Sequence, residues 1–268
     1  MTCISILTDF GTKDGNVGVM KGVIWGIAPS VQISDLSHAI NPQNIREAAF
    51  VLGRAAPYFP RGTIYLVVVD PGVGTERRPM AAEMGPYRFV GPDNGVITRL
   101  VDHAVEKHWP QKYVHLDKPE YWLHEVSHVF HGRDIFAPVA AHLAMGVPLD
   151  AVGKTMEDPI LLDIPSPIQT RDSIIGDVIY IDHFGSLVTN IRSTDLQMKK
   201  VLWVEVSGKR VEGMVETFGE RPPGSLIALF SSTGDLILSV VNGSASQVLG
   251  VEVGEEVRVT ISPIRQEG

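Results

Sequence analysis

The sequence predicts an α/β amino-terminal domain, a mostly parallel sheet with helices on both faces, followed by an all-β, barrel-like carboxy-terminal domain. Three observations carry that prediction. Over the first 155 residues, short apolar runs rich in β-branched residues alternate with stretches of helical spacing. After about Asp150 the helical patterns stop and short strand-like runs follow one another. Between the two, Pro159, Pro165 and Pro167 punctuate a stretch without periodicity, which places a linker at 156–172 and domains at 1–155 and 173–268.

Ile4–Thr8 reads as the first strand and ends in Asp9-Phe10-Gly11. Val17–Ala28 carries apolar residues at roughly helical spacing until Pro29 stops it. Val31–Leu36 is a second strand, and Ile45–Tyr58 a second, alanine-rich helix closed by Pro60. Ile64–Val69 is an unbroken apolar run, as in strands buried on both faces, and it ends abruptly in Asp70. Arg88–Val90 leads through the turn signal Gly91-Pro92-Asp93-Asn94-Gly95 into a helix over Val96–Val101. Val126–Phe130 reads as another strand, and Ile135–Met145 as another helix with Pro138 in its first turn. In the second domain the strands are Ile174–Ile181, Leu187–Asn190, Val201–Val206, Leu226–Phe230, Leu236–Val241 and Val257–Ile261. Ser207-Gly208-Lys209 and Thr233-Gly234-Asp235 form hairpin-type turns between them.

Composition narrows the classes. The chain has 268 residues, enough to bury a substantial core, and its 44% hydrophobic and 20% charged content is that of a folded globular protein. A formal net charge of −8 argues against a protein that tracks nucleic-acid phosphates. No apolar run is long enough to span a membrane. The opening MTCISILTDF lacks a basic segment and reaches Asp9 too early for a secretory signal, and the single cysteine, Cys3, has no internal disulfide partner. A cytoplasmic protein with no metal-held framework is expected.

The chemistry-bearing groups gather at the ends of expected strands, where open α/β folds hold ligands. TIYLVVVDPGVGTERR, Thr63–Arg78, places a carboxylate, Asp70, at a strand tip. A turn of Pro71, Gly72 and Gly74 follows, and then two adjacent arginines, Arg77 and Arg78. An ordinary Asp-Pro-Gly turn with solvated arginines has the same pattern. Asp9, at the tip of the first strand, either accepts both hydroxyls of a ribose or caps the next helix. His131, in His131-Gly132-Arg133-Asp134, is a general base, a charge stabiliser or a loop residue. Asp182-His183-Phe184-Gly185 resembles Asp9-Phe10-Gly11 in composition, and Asn242-Gly243-Ser244 is either a turn or a source of backbone groups for a heterocycle. Two motif matches are set aside. His124-Glu125-Val126-Ser127-His128 fits H-E-x-x-H, but zinc binding needs that motif on a helix and its neighbours favour a strand. Asp9-Phe10-Gly11 is the kinase magnesium tripeptide, without the glycine-rich loop or strand lysine that precede it in kinases. No metal site is expected.

The segments TDFGTKDGNVGVMKG, HAINPQNIREAAFVL, VVVDPGVGTERR, FVGPDNGVIT, FHGRDIFAPVAAHLA and YIDHFGSLVTNI occur in the order found in the S-adenosylmethionine hydroxide adenosyltransferases. The chain resembles that family, whose relatives are the S-adenosylmethionine-dependent fluorinases and chlorinases, over essentially its whole length. The resemblance implies an enzyme that attacks ribose C5′ of S-adenosyl-L-methionine with water or hydroxide, giving adenosine and L-methionine, with no cofactor. It also implies a homotrimer, with sites between the amino-terminal domain of one subunit and the carboxy-terminal domain of its neighbour. The family's Asp–Arg–His triad falls on Asp70, Arg77 and His131, with Arg78 adjacent as the other arginine. Halide-using relatives carry uncharged residues at the Asp and His positions, so the resemblance points to a hydroxide user. Its substrate contacts fall on Asp9 for the ribose, on Asn16 and Asp182 for the methionine part, on Phe130 for the pocket wall and on Phe184 for the adenine. Ser186 stands where relatives often carry Asn, and Ser232 and Asn242 fall in the last binding segments.

In the implied reaction the sulfonium departs neutral and needs no acid. The scarce component is the nucleophile, since bulk water has a pKa of about 15.7. Arg77 and His131 are expected to act as two cations that stabilise a hydroxide-like nucleophile, with Asp70 orienting it. Either Asp70 or His131 accepts the proton. A halide-using adenosyltransferase and a non-catalytic binder of S-adenosylmethionine or adenosine are the alternatives.

Overall fold

Apolar alternation builds the first half of the chain. A computed structural model describes residues 2–196 and 199–262. In it β1 (Cys3–Thr8), α1 (Asn16–Ile27), β2 (Gln32–Ser37), α2 (Ile45–Ala55) and β3 (Ile64–Val68) succeed one another. Ile64, Leu66 and Val68 of β3 enter one core, while Tyr65 and Val67, with Val69 just beyond, enter the other. A period of two with both faces buried makes this the central strand. Met20 and Ile24 of α1 cover the first face, and Ala48 and Leu52 of α2 cover the second. The start of α2 is written locally: the Asn44 side chain accepts from Glu47 N–H at 3.0 Å, and the Glu47 carboxylate accepts in turn from Asn41 N–H at 3.2 Å.

Beyond β3 the topology departs from expectation. β4 (Pro79–Met84) has no β-branched residue and escaped notice; it forms a hairpin with β5 (Tyr87–Pro92) through Gly85, whose φ is 57°. α3 (Thr98–Glu106), β6 (Gln111–His115), α4 (Ala137–Ala144) and β7 (Lys154–Met156) complete the unit. The sheet order is β2-β1-β3-β5-β4-β6-β7. β2, β1, β3 and β5 run parallel, but β5–β4, β4–β6 and β6–β7 are antiparallel pairs. The sheet is therefore mixed rather than mostly parallel, because a two-residue hairpin joins only antiparallel strands. The helices do cover both faces.

The expected strand at 126–130 is a loop. Ser127 N–H donates to the Asp134 carboxylate at 2.9 Å and Val129 N–H to Ser127 Oγ at 3.1 Å, so side chains take the groups a ladder would use. The expected helix at 135–145 opens with one wide turn of π type, Gly132–Phe136, before α4 begins. Pro138 has no N–H to offer the Asp134 carbonyl, which accepts instead from Leu123 N–H at 2.9 Å. Residues 156–162, part of the expected linker, belong with this unit: Ile160 N–H reaches Asp93 and Leu162 N–H reaches Thr98 Oγ1, each at 2.8 Å. The chain divides into two compact units between Leu162 and Asp163. No described helix is long and apolar enough to cross a membrane.

The second unit comprises β8 (Ile168–Gln169), β9 (Ser173–Ile181), β10 (Leu187–Arg192), β11 (Val201–Val206), β12 (Lys209–Glu212), β13 (Leu226–Phe230), β14 (Asp235–Val240), the short helix α5 (Ala245–Leu249) and β15 (Glu256–Ile261). Its strand order is β12-β11-β15-β9-β10-β14-β13, with β8 on β9. Past β12, Val215 N–H donates to Ala228 O of β13 at 3.0 Å, which draws the two edges together into a nearly closed, barrel-like sheet. Ser207 and Gly208, at φ 47° and 69°, supply the left-handed pair that a type I′ turn between β11 and β12 requires. The last residues of the expected domain, 263–268, lie outside the described residues.

Arg78 ties the first unit together. It donates to Asp93 at 2.9 Å and to Asp158 at 2.9 Å, and the Asp93 side chain is 0% exposed. Arg78→Ala leaves that carboxylate buried without its cation and should destabilise the protein by about 3 kcal/mol. Urea denaturation measures it; a loss under about 0.5 kcal/mol, typical of a surface ion pair, would show that Asp93 does not depend on Arg78.

Candidate active site

β1 and β3 are parallel neighbours with Thr8 opposite Val68, and the chain leaves β1 for β2 on one side before returning to β3 on the other. Their carboxyl ends therefore form a topological switch point, the crevice where open α/β sheets hold ligands. Asp9 and Asp70 follow those two strands. A cleft of about 340 Å³ opens there, lined by Asp9, Phe10, Gln43, Asp70, Phe130 and His131 among others.

Arg77 grips both oxygens of Asp70, Nε to Oδ1 at 3.0 Å and Nη2 to Oδ2 at 2.5 Å, with the two side chains only 8% and 4% exposed. Such a two-pronged pair is the strong and geometrically specific form of ion pair. The same Nη2 lies 3.1 Å from His131 Nδ1. Arg77 Nη1 is buried and has no hydrogen-bond partner among the described residues; the guanidinium lies over Phe136, Cζ 5.3 Å from the ring centroid, and this attraction offsets part of that cost. Arg78 turns away to Asp93 and Asp158, so of the two candidate arginines Arg77 is the one that meets Asp70.

Local turns make this possible. Val73 N–H donates to Asp70 O and Thr75 N–H to Gly72 O, each at 3.2 Å, and together they reverse the chain. Gly74 needs to be glycine: its φ is 75°, and a Cβ there would lie 2.2 Å from His128 O. The turn thus rests directly on the 124–130 loop. Fully buried Asp134 anchors that loop from the other side, through Ser127, Leu123 and Arg133.

A guanidinium has only donors, so His131 Nδ1 accepts and the ring carries its proton on Nε2. Burial, and then the Arg77 charge beside it, push the His131 pKa below its ordinary value, with Asp70 and Asp134 opposing less strongly. His131 is therefore neutral near pH 7. This corrects the expectation of a second cation: a protonated ring would be partly desolvated and would face Arg77 donor to donor.

Asp9 Oδ2 accepts from Gln43 N–H at 2.8 Å, and Gln43 holds φ at 65°, uncommon for a residue with a Cβ. Phe130 packs edge-on against Phe10, centroids 5.7 Å apart, beneath Arg133 at 5.1 Å. Asn16 opens α1 with an exposed side chain and does not line the cleft. Phe10, Gln43 and Asp134 escaped the sequence reasoning. A proline four residues after Asp134 was the available signal for a freed carbonyl; nothing local marks Gln43.

The second unit has its own pocket of about 470 Å³, lined by Asp182, Phe184, Ser186, Phe218, Ser239 and Asn242 among others. Asp182 Oδ1 accepts from Phe184 N–H at 2.9 Å and Ser186 N–H at 2.8 Å, a local turn that leaves Phe184 76% exposed. Gly185, at φ 80°, seats this turn on Ser244, whose Oγ would lie 2.0 Å from a Cβ. Ser232 precedes β14 while Asn242 follows it, so roughly 20 Å of strand separates them and Ser232 is not brought to this pocket. His124–His128 lies in the loop, on neither helix nor strand, and no three described His, Cys, Asp or Glu residues are grouped to hold a metal ion.

The family model for the SAM hydroxide adenosyltransferase N-terminal domain matches residues 4–153, and that for the C-terminal domain matches residues 176–258. An (R)-S-adenosyl-L-methionine hydrolase from Thermus thermophilus is 40% identical over 264 residues, covering 97% of this chain and 100% of its own. A fluorinase from Nocardia brasiliensis is more distant, 26% identical over 294 residues and 96% of each chain. Among solved structures, an uncharacterized conserved protein from Thermotoga maritima matches with a TM-score of 0.87 at 39% identity, over 96% of this chain and 99% of its own.

The neutral imidazole has a measurable consequence. By NMR, His131 should titrate below 6.5 and show the Nε2–H tautomer when neutral. Its contribution to stability should be complete above about pH 6.5 and decline as pH falls, because the unfolded chain then binds a proton that the native ring resists. A native titration above 6.5 would contradict the assignment.

Proposed function

This chain belongs to the S-adenosylmethionine hydroxide adenosyltransferase family, and we propose that the cleft at the ends of β1 and β3 is where its chemistry occurs. The chain is an enzyme, a hydrolase of S-adenosyl-L-methionine; adenosine and L-methionine are the products we assign. At residue level one observation supports the proposal above the rest: Asp70, Arg77 and His131 form a single hydrogen-bonded cluster beside Asp9.

Water attacks ribose C5′ as the C5′–S bond breaks, and the bonding pair leaves on a neutral thioether sulfur. No acid is required. The attacking water becomes acidic as its oxygen bonds to carbon, so a weak base held ready at that moment suffices. His131 has no free lone pair, since Arg77 occupies Nδ1 and Nε2 carries the proton. Asp70 is therefore the acceptor, passing the proton on to solvent. Arg77 holds the carboxylate in place, and the His131 Nε2–H donates to the water oxygen and turns its lone pair toward C5′. One cation, one carboxylate and one neutral donor replace the two-cation scheme, and none of these steps calls on a cofactor.

The same cluster favours water over halide. Asp70 neutralises Arg77 at contact distance and His131 adds no charge, so an anion finds little net attraction, while water finds both a donor and an acceptor. We assign the ribose to Asp9, the pocket wall to Phe130, and contacts to the methionine and adenine parts to Asp182, Phe184, Ser186 and Asn242. Asn16 and Ser232 stay in the substrate set on the family resemblance alone. The homotrimer rests on it too, whereas the cytoplasmic location rests on composition, chiefly the single cysteine.

Turnover in water enriched in heavy oxygen should place the label on the 5′ oxygen of adenosine; unlabelled adenosine would exclude attack by water at C5′. Asp70→Asn keeps the shape of the site and should lower kcat by about 10²–10⁴-fold while calorimetric affinity for S-adenosylmethionine changes little. A wild-type rate would remove Asp70 from the mechanism. Light scattering should give about three times the 29.2 kDa of one chain, and a monomer mass would end the trimer assignment.

A further inference from the structure

Beside the cleft, a file of polar side chains runs from the end of β1 toward the surface. Thr8 is fully buried; its Oγ1 accepts from Phe10 N–H at 3.2 Å and lies 2.9 Å from His38 Nδ1. The His38 side chain, 8% exposed, reaches Asp35 Oδ1 through Nε2 at 2.9 Å, and Lys21 Nζ meets Asp35 Oδ2 at 2.7 Å. The His38 carbonyl also accepts from Gly11 N–H at 2.8 Å. Proton positions follow from what each group can do. The Thr8 hydroxyl needs an acceptor, His38 Nδ1 is the one within reach among the described residues, and Nε2–H is left to donate to Asp35. Burial works against charge on Asp35, but the hydrogen bonds from Lys21 and His38 outweigh it and hold its carboxyl below its usual range.

His38 therefore grips the turn after β1 from two directions, by its ring through Thr8 and by its carbonyl at Gly11. Asp9 and Phe10 lie between those two points and line the cleft. Gln43, on the same 38–43 segment, sets the Asp9 carboxylate itself. We propose that His38 is a positioning residue for substrate binding, which holds the Asp9–Phe10 backbone so that the Asp9 carboxylate faces the ribose. This rests on the assignment of Asp9 to the ribose made above. His38 touches no reacting atom and acts only through that turn. The tie through the ring is what links it to affinity, because a buried hydroxyl left without an acceptor would rotate or draw in water and loosen Phe10 N–H with it.

A double-mutant cycle tests this, with KM and calorimetric affinity as readouts and circular dichroism as the check on folding. His38→Ala should raise KM for S-adenosylmethionine about tenfold and change kcat by less than about threefold. Thr8→Val, which removes the hydroxyl but keeps the shape, should reproduce that rise and serves if His38→Ala does not fold. His38→Asn, whose amide stands where Nδ1 stood, should restore most of the affinity. In an Asp9→Ala background, His38→Ala should add nothing further. Additive effects in the cycle, or an unchanged KM in both His38→Ala and Thr8→Val, would overturn the proposal. Were the wild-type protein to release no adenosine, the assigned chemistry would fall by itself. The cycle would then be read in calorimetric affinity for adenosine, which carries the same ribose and tests His38 independently.

Discussion

The two-pronged pair between Arg77 and Asp70 is the constraint to which the first unit is built. Burying two charges is expensive, and mutual attraction repays it only when geometry is close to ideal and the remaining polar atoms are met. Each neighbouring feature serves that requirement. The Asp70–Thr75 turns reverse the chain, Gly74 lets the turn lie against the His128 carbonyl, and Phe136 covers the guanidinium where hydrogen bonding stops. Asn94 adds support from behind, its Nδ2 donating at 2.9 Å to the carbonyl of Val69, the residue before Asp70. What such a pair supplies is orientation more than stability.

That orientation sets the electrostatics. A guanidinium that has satisfied a carboxylate and still points a donor at an imidazole forces the ring into one tautomer and resists its protonation. The outcome is a cluster with little net charge that nonetheless presents both a donor and an acceptor. A polar neutral molecule is the partner such a surface orients best.

The loops around the cleft share a second device. Their backbone groups are met by side chains instead of a ladder: Asp134 holds the 123–134 loop, Thr8 and His38 hold the turn after β1, and Asn94 holds the end of β3. Side chains can fix irregular backbone where a strand or helix would leave no opening. Thr8 and Asp134 are buried and His38 and Asn94 half-buried, and the stiffness they impart is of the kind that reacting groups need.

Periodicity was enough for the order of strands and helices in the amino-terminal half up to β3 and for most strands of the second unit, and turn residues were enough for a hairpin at Ser207-Gly208-Lys209. These depend on side-chain spacing and backbone preference within a few residues. The Asp–Arg–His set was legible only through ordered motifs, because the groups themselves, Arg77 and His131, lie 54 residues apart. Tertiary structure decided the rest. It made the sheet mixed through a hairpin whose first strand, β4, has no β-branched residue, and it turned the apolar stretch at 126–130 into a loop once the Asp134 and Ser127 side chains claimed the Ser127 and Val129 amides. It sent Arg78 to Asp93, left Ser232 at the far end of β14 from Asn242, and kept His131 neutral. Hydrogen-bond partners and charge states belong to pairs of groups that folding brings together, and no single stretch of chain contains both members.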